Sequence, residues 1–199
     1  MVGLNLKEFE KDEPEGDWSY REVVGSLMWL ANQTRPDISD AIRAVARCVH
    51  APKSVHWGTA LTILKYLRTT RNLGITCQRG SGLDLEAFAD AGYASKATDR
   101  RSVSGGVVMC GGAAVSWFSR TQKCVTLSTT EAEYVAMSEC AKEALFVRHV
   151  WCFIFSARGV PCTKVFEDNQ GAVVGTEPHD ELEFEAYRRA SPSLERIVF

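Results

Sequence analysis

Leu83-Asp84-Leu85-Glu86-Ala87-Phe88-Ala89-Asp90-Ala91-Gly92-Tyr93 alternates apolar and polar side chains as far as Ala89. Leu83, Leu85, Ala87 and Ala89 fall on one side, the period-two pattern of a strand buried on one face. Asp90 stands where that strand is expected to end, and Ala91-Gly92 follows as a turn. A carboxylate at the mouth of a buried strand is partly desolvated and rigidly held, which suits it to gripping a cation. A lone Asp there reads first as a turn residue, since turns favour it. The rest of the chain decides between the two.

Strand patterns continue on both sides. Gly74 to Gln78 reads as a short strand, followed by the loop Arg79-Gly80-Ser81-Gly82, which marks a domain boundary. Beyond the polar loop Ser95 to Arg101, Ser102 to Cys110 and Ala114 to Ser119 read as two strands joined at Gly111-Gly112. Gly105-Gly106 suggests a bulge or a close backbone approach. Arg120-Thr121-Gln122-Lys123 adds a loop with two positive charges.

Ser128-Thr129-Thr130-Glu131 is a capping box opening a long helix towards Val150, with Glu131 reaching back to its cap. The inner stripe of that helix is Glu133, Ala136, Met137, Cys140, Ala144, Val147 and Trp151. A carboxylate on a buried stripe needs a partner, because an unpaired buried charge is costly. Lys164 to Glu167 reads as a fourth strand, closed by Asp168, and Ala172-Val173-Val174 starts a short helix. Asp90 and Asp168 therefore end strands, and Glu133 faces inward from a helix. With the first and fourth strands side by side and the helix across them, the three carboxylates meet at one edge. Such a cluster repels itself unless hard cations neutralise it. Two Mg²⁺ ions roughly 4 Å apart can activate a water, hold a scissile phosphate and stabilise the leaving oxygen.

Upstream, the period is helical. Tyr20 to Ala31, a second stripe of Ile38, Ile42, Val45, Ala46 and Val49, and a third of Trp57, Ala60, Leu61, Leu64 and Leu67 make a small helical unit. Pro36 fits the first turn of the second helix. The domains expected are a charged lead-in at 1–17, a helical unit at 18–73, an α/β domain at 74–175 and a divergent tail at 176–199 without assigned structure. Hydrophobic content of 45% is ample for a packed core, and a net charge of −2 leaves nucleic-acid binding to local patches. Seven scattered cysteines with no C-x-x-C pair favour reduced thiols and an intracellular, cytoplasmic or nuclear setting. No apolar run reaches the ~18 residues of a membrane span.

Five segments in order carry a resemblance: Phe88-Ala89-Asp90-Ala91, Asp99-Arg100-Arg101-Ser102-Val103-Ser104-Gly105, Val115-Ser116-Trp117-Phe118-Ser119, Leu127-Ser128-Thr129-Thr130-Glu131-Ala132-Glu133-Tyr134 and Phe166-Glu167-Asp168-Asn169-Gln170. Together they resemble the ribonuclease H region of copia-type LTR retrotransposon Pol polyproteins. Tyr20-Arg21-Glu22-Val23-Val24-Gly25-Ser26-Leu27, Thr34-Arg35-Pro36-Asp37-Ile38, His56-Trp57 and Leu64-Lys65-Tyr66-Leu67 resemble the segment linking polymerase to that domain. The resemblance covers about residues 18 to 175. It implies an α/β, RNase H-like mixed sheet with a crossing helix, preceded by a small helical unit. It also implies Mg²⁺-dependent cleavage of the RNA strand of an RNA–DNA hybrid, with Asp90, Glu133 and Asp168 binding metal and the rest of the Pol polyprotein, including reverse transcriptase, as partner.

Departures from the family pattern shape the alternatives. Gly92 stands where a second acid is usual, and after about Val174 the match ends without the Lys-His-Ile-Asp-like segment, strand and helix that supply a fourth acid. His179-Asp180 is a faint echo of that segment. The polymerase's paired aspartates are absent too, so the chain reads as a fragment with a lost or frame-shifted tail. One alternative is an inactive remnant that keeps the fold and at most binds nucleic acid, through patches such as Arg100, Arg101, Arg120 and Lys123. Another is a transposase or integrase core, although there the acids run Asp, Asp, Glu and here Asp, Glu, Asp.

Overall fold

The structure, a computed structural model, describes residues 18–95, 100–156, 162–174 and 182–186. They form two compact units that divide between residues 75 and 76. The expected lead-in at 1–17 and the His179-Asp180 echo lie outside the described residues.

In the helical unit, apolar residues three and four apart place Tyr20, Val24, Leu27 and Ala31 on the buried side of α1 (Tyr20–Gln33). The second helix is shorter than its stripe suggested. Pro36 opens a 3-10 turn, Pro36–Ile38, and α2 (Ser39–Ala46) stops before Val49. α3 (Ser54–Thr69) starts earlier than Trp57, because the Lys53 N–H, exposed at the helix start, donates to His56 Nδ1 at 3.0 Å. The core joins Leu27 and Val24 to Ile38, Ile42, Val45, Ala60 and Ile63, each large aliphatic contributing about 1.5–3 kcal/mol on burial. The Tyr20 hydroxyl spends its polarity on the Val45 carbonyl at 2.8 Å. Arg35 grips Asp37 through two hydrogen bonds of 2.9 and 2.7 Å and reaches the Thr70 carbonyl and hydroxyl at 3.1 and 2.7 Å. That fork ties the turn before α2 to the end of α3.

The second unit is a five-stranded mixed sheet of β1 (Leu85–Gly92), β2 (Val103–Cys110), β3 (Ala113–Thr121), β4 (Thr163–Glu167) and β5 (Leu182–Ala186), in the order β3-β2-β1-β4-β5. β1–β2 and β2–β3 are antiparallel, β1–β4 and β4–β5 parallel. The tight β2–β3 loop needs left-handed backbone at both central positions, which Gly111 and Gly112 supply at φ 55 and 77. Gly106 realises the close approach rather than the bulge: a Cβ there would lie 2.4 Å from the Phe118 ring. The register shift falls instead at Val108/Met109.

α4 (Thr129–Ile154) lies across β1, β2 and β4. Its Met137, Cys140 and Ala144 pack on Ala87, Ala89, Val108, Phe118 and Val165. Small side chains on both sides let helix and sheet approach closely. Ser128 caps α4 by accepting from the Glu131 N–H at 3.1 Å, but Glu131 reaches one residue further back than a capping box requires, to the Leu127 N–H at 2.6 Å.

Two further expectations fail. Residues 73–78 carry no strand. The tail from 176 is not without structure, because Leu182–Ala186 runs as β5 along β4 from Thr163↔Leu182 to Glu167↔Ala186. β4 is thereby an interior strand rather than an exposed edge.

Candidate metal centre

β1 and β4 pair from Glu86↔Lys164 to Phe88↔Phe166, where the two rings stack at 5.0 Å. Asp90 and Asp168 each lie two residues past that last pair, where the parallel strands part company. Carboxyl ends of parallel strands leave such a crevice in open α/β sheets. β1 itself does not end at Asp90 but continues to Gly92, held by β2 through Asp90↔Gly105 and Ala91↔Ser104. α4 lowers Glu133 into the same place from above. One carboxylate oxygen from each of Asp90, Glu133 and Asp168 lies within 4.8 Å of the others. Glu133 is 9% exposed, Asp90 half-buried and Asp168 exposed.

Burial pushes the Glu133 carboxyl up to about 7, and the neighbouring charges of Asp90 and Asp168 add to the rise against a hydrogen bond from the Ala91 backbone. Charge is thus costly at this point of the fold until something positive arrives. The donors are all carboxylate oxygens, the ligand type of hard divalent ions; Mg²⁺ takes one or two carboxylates and keeps several waters. The residues present fit that ion.

A fourth acid belongs to this place that sequence reasoning missed. Glu167 is fully buried, and its Oε1 accepts from the N–H groups of Asp168 and Asn169 at 3.0 and 3.2 Å. Burial, then the charge of Glu133, pushes its carboxyl up to about 9. Its Oε2 is buried without a hydrogen-bond partner. A signal existed: Thr163, Val165 and Glu167 share one side of β4, and all three are buried. Glu167 thereby shapes the turn carrying Asp168. Asn169 continues that turn by accepting from Ala172 N–H at the start of α5 (Gln170–Val174).

The basic residues singled out as a nucleic-acid patch, Arg100, Arg101, Arg120 and Lys123, are all exposed. Arg120 is already engaged, its guanidinium 4.7 Å over the Phe118 ring and 3.9 Å from Glu143.

A mixed sheet of this order, crossed by one long helix and carrying acids at the ends of its two parallel central strands, is an RNase H-like fold. The chain is 42% identical over 129 residues to the retrovirus-related Pol polyprotein from transposon TNT 1-94 of Nicotiana tabacum, covering 65% of this chain and 10% of that protein. It is 37% identical over 156 residues to the corresponding polyprotein from transposon RE1 of Arabidopsis thaliana, covering 77% of this chain and 10% of that one. A third relative, secreted RxLR effector protein 161 of Plasmopara viticola, is 36% identical over 128 residues, 64% of this chain and 90% of that protein. The chain's homologues are copia-type retrotransposon Pol polyproteins, matched over most of its length. It spans about a tenth of the length of the TNT 1-94 and RE1 polyproteins. No protein-family profile and no solved structure matches it. None of the described helices is long and apolar enough to cross a membrane.

Proposed function

We propose that this chain carries out Mg²⁺-dependent, ribonuclease H-type cleavage of the RNA strand of RNA–DNA hybrids, as one segment of a Pol polyprotein. The three-acid cluster carries the reading: oxygens of Asp90, Glu133 and Asp168 lie within 4.8 Å of one another on elements that hold them still. The likeness to proteins named retrovirus-related Pol polyproteins supports this choice of substrate class. An element that copies RNA into DNA leaves a hybrid whose RNA has to be removed, and the reverse transcriptase of the same polyprotein is the partner. Asp90, Glu133 and Asp168 would hold the ions. Mg²⁺ held there would supply a lowered pKa for a water and positive charge facing the phosphate to be cleaved. The chain's own part is positional: pairing of β1 with β2 fixes Asp90, the Glu167-bonded turn after β4 carries Asp168, and α4 supplies Glu133.

A second reading, a retained fold without turnover, has one observation in its favour. Among the described residues three acids bring oxygens together, where the family resemblance implies four; the neighbouring Glu167 is buried with its Oε1 turned to the backbone N–H groups of Asp168 and Asn169. Incubating the chain with a labelled RNA–DNA hybrid and Mg²⁺, beside Asp90→Asn, separates the two. RNA cleavage that falls by about a hundredfold or more in the variant supports the nuclease. Equal signal from both proteins leaves the remnant.

A further inference from the structure

Behind the acids lies a group of polar side chains that nothing in the proposed chemistry uses. Ser102, Ser104 and Gln122 are fully buried and Thr126 is 3% exposed, deep in a unit whose core is otherwise apolar. Buried polar groups stabilise little over apolar ones of the same shape, but their directional bonds fix distances that apolar packing leaves soft. These bonds connect the elements that carry the acids. Gln122 follows the last residue of β3, and its backbone N–H donates to the Ser102 carbonyl at 2.9 Å. Its Nε2 then donates twice, to Ser104 Oγ at 3.0 Å and to the Ala132 carbonyl at 2.9 Å. Ser104 is the β2 partner of Ala91, next to Asp90, and Ala132 precedes Glu133 on α4. A second branch runs alongside. Ser102 Oγ shares a hydrogen bond with Thr126 Oγ1 at 2.8 Å and accepts from the Ala94 N–H at 3.1 Å. Ala94 sits at φ 46, a left-handed conformation that disfavours alanine, so the chain leaving β1 is held against its own preference.

We propose that Gln122 is a positioning residue for the acid cluster: its amide bridges Ser104 of β2 and Ala132 of α4, and so sets the height of Glu133 against Asp90. The role in ion binding rests on the reading of that cluster as a metal site; the bridge itself does not.

The test uses Gln122→Met in the full chain, which keeps the side chain's length and removes both donated bonds. Amide hydrogen exchange and Mn²⁺ titration calorimetry are run on it and on the wild type. Exchange at residues 132–137 is expected to accelerate about tenfold while the rest of α4 stays protected. Mn²⁺ affinity is expected to fall about tenfold, the scale on which groups behind metal ligands act. Unchanged exchange at 132–137, or exchange that accelerates throughout the unit, overturns the proposal. So does faster local exchange with Mn²⁺ bound as tightly as by the wild type. Faster local exchange with a wild type that binds no Mn²⁺ supports the bridge and removes the metal reading instead. If Gln122→Met does not fold, Ser104→Ala, which cuts only the strand-side bond, is read in the same way with about threefold effects.

Discussion

Asp37 in the helical unit and Glu133 in the sheet unit are both withdrawn from solvent, at 5% and 9% exposure, and they are treated in opposite ways. Burial alone pushes Asp37 up, but hydrogen bonds from Arg35 and Tyr66 outweigh it and hold the carboxyl below its usual range. Glu133 meets the same burial next to Asp90 and Asp168, and its carboxyl goes up to about 7. One acid is neutralised from within the fold; the other sits among acids. Where an acid only holds structure, a guanidinium next to it is enough. Where acids are gathered, the divalent ions of the proposed function would supply the positive charge.

The largest effect should come from breaking the neutralised pair. Arg35→Met leaves Asp37 buried and bare, and is expected to destabilise the helical unit by about 3–5 kcal/mol. Urea titration followed by exchange of the α1–α3 amides measures it. Adding Asp37→Leu should restore most of the loss; no recovery would mean that Arg35 acts through Thr70 instead.

Next comes pH, in chelator and without divalent ions. Glu133 and Glu167 bind protons more tightly folded than unfolded, so unfolding releases protons and stability falls as pH rises. The loss should begin above the ordinary glutamate range near 4.5 and run through about 7 for Glu133 and about 9 for Glu167. The slope is no steeper than about 1.4 kcal/mol per pH unit for each proton released. A melting temperature that rises between pH 5 and pH 8 in chelator would contradict the account of the cluster.

Smaller again, and opposite in sign to the Arg35 change, is Glu133→Gln. Removing one of the crowded charges should raise the metal-free melting temperature at pH 8 by a few degrees, on the order of 1 kcal/mol, while Mn²⁺ binding is lost. The smallest is a control on acid–base pairing at the surface. Arg43 meets Asp40 at 2.6 Å, but Asp40 is 44% exposed, so Arg43→Ala should cost about 0.5 kcal/mol or less. A loss comparable to that of Arg35→Met would show that the contrast is not one of burial.

The three acids are legible in the sequence because each stands at a recognisable break in period. Alternation through Ala87 and Ala89 located Asp90, the helical stripe exposed Glu133 as its misfit, and the end of a short strand marked Asp168. The same parity, carried two residues along β4 from Val165, places Glu167 in the core with it. A charged residue next to a turn is easily taken for part of it. β5 was hidden for a related reason: Leu182, Phe184 and Ala186 alternate with acids, but five residues in an acid-rich tail give the pattern little room. Gln122 could not be seen at all. Beside Arg120 and Lys123 it reads as a polar loop, and its burial depends on where α4 lands.

Gly106, opposite the Phe118 ring, has a consequence for how copies of such an element age. Every single-base missense change at a glycine codon adds a Cβ, and at this position that atom would lie 2.4 Å from an aromatic carbon. Drift therefore has no mild missense substitution to offer here. In a genome holding many decaying copies, a copy that has lost this glycine has had to move the Phe118 ring to keep its sheet.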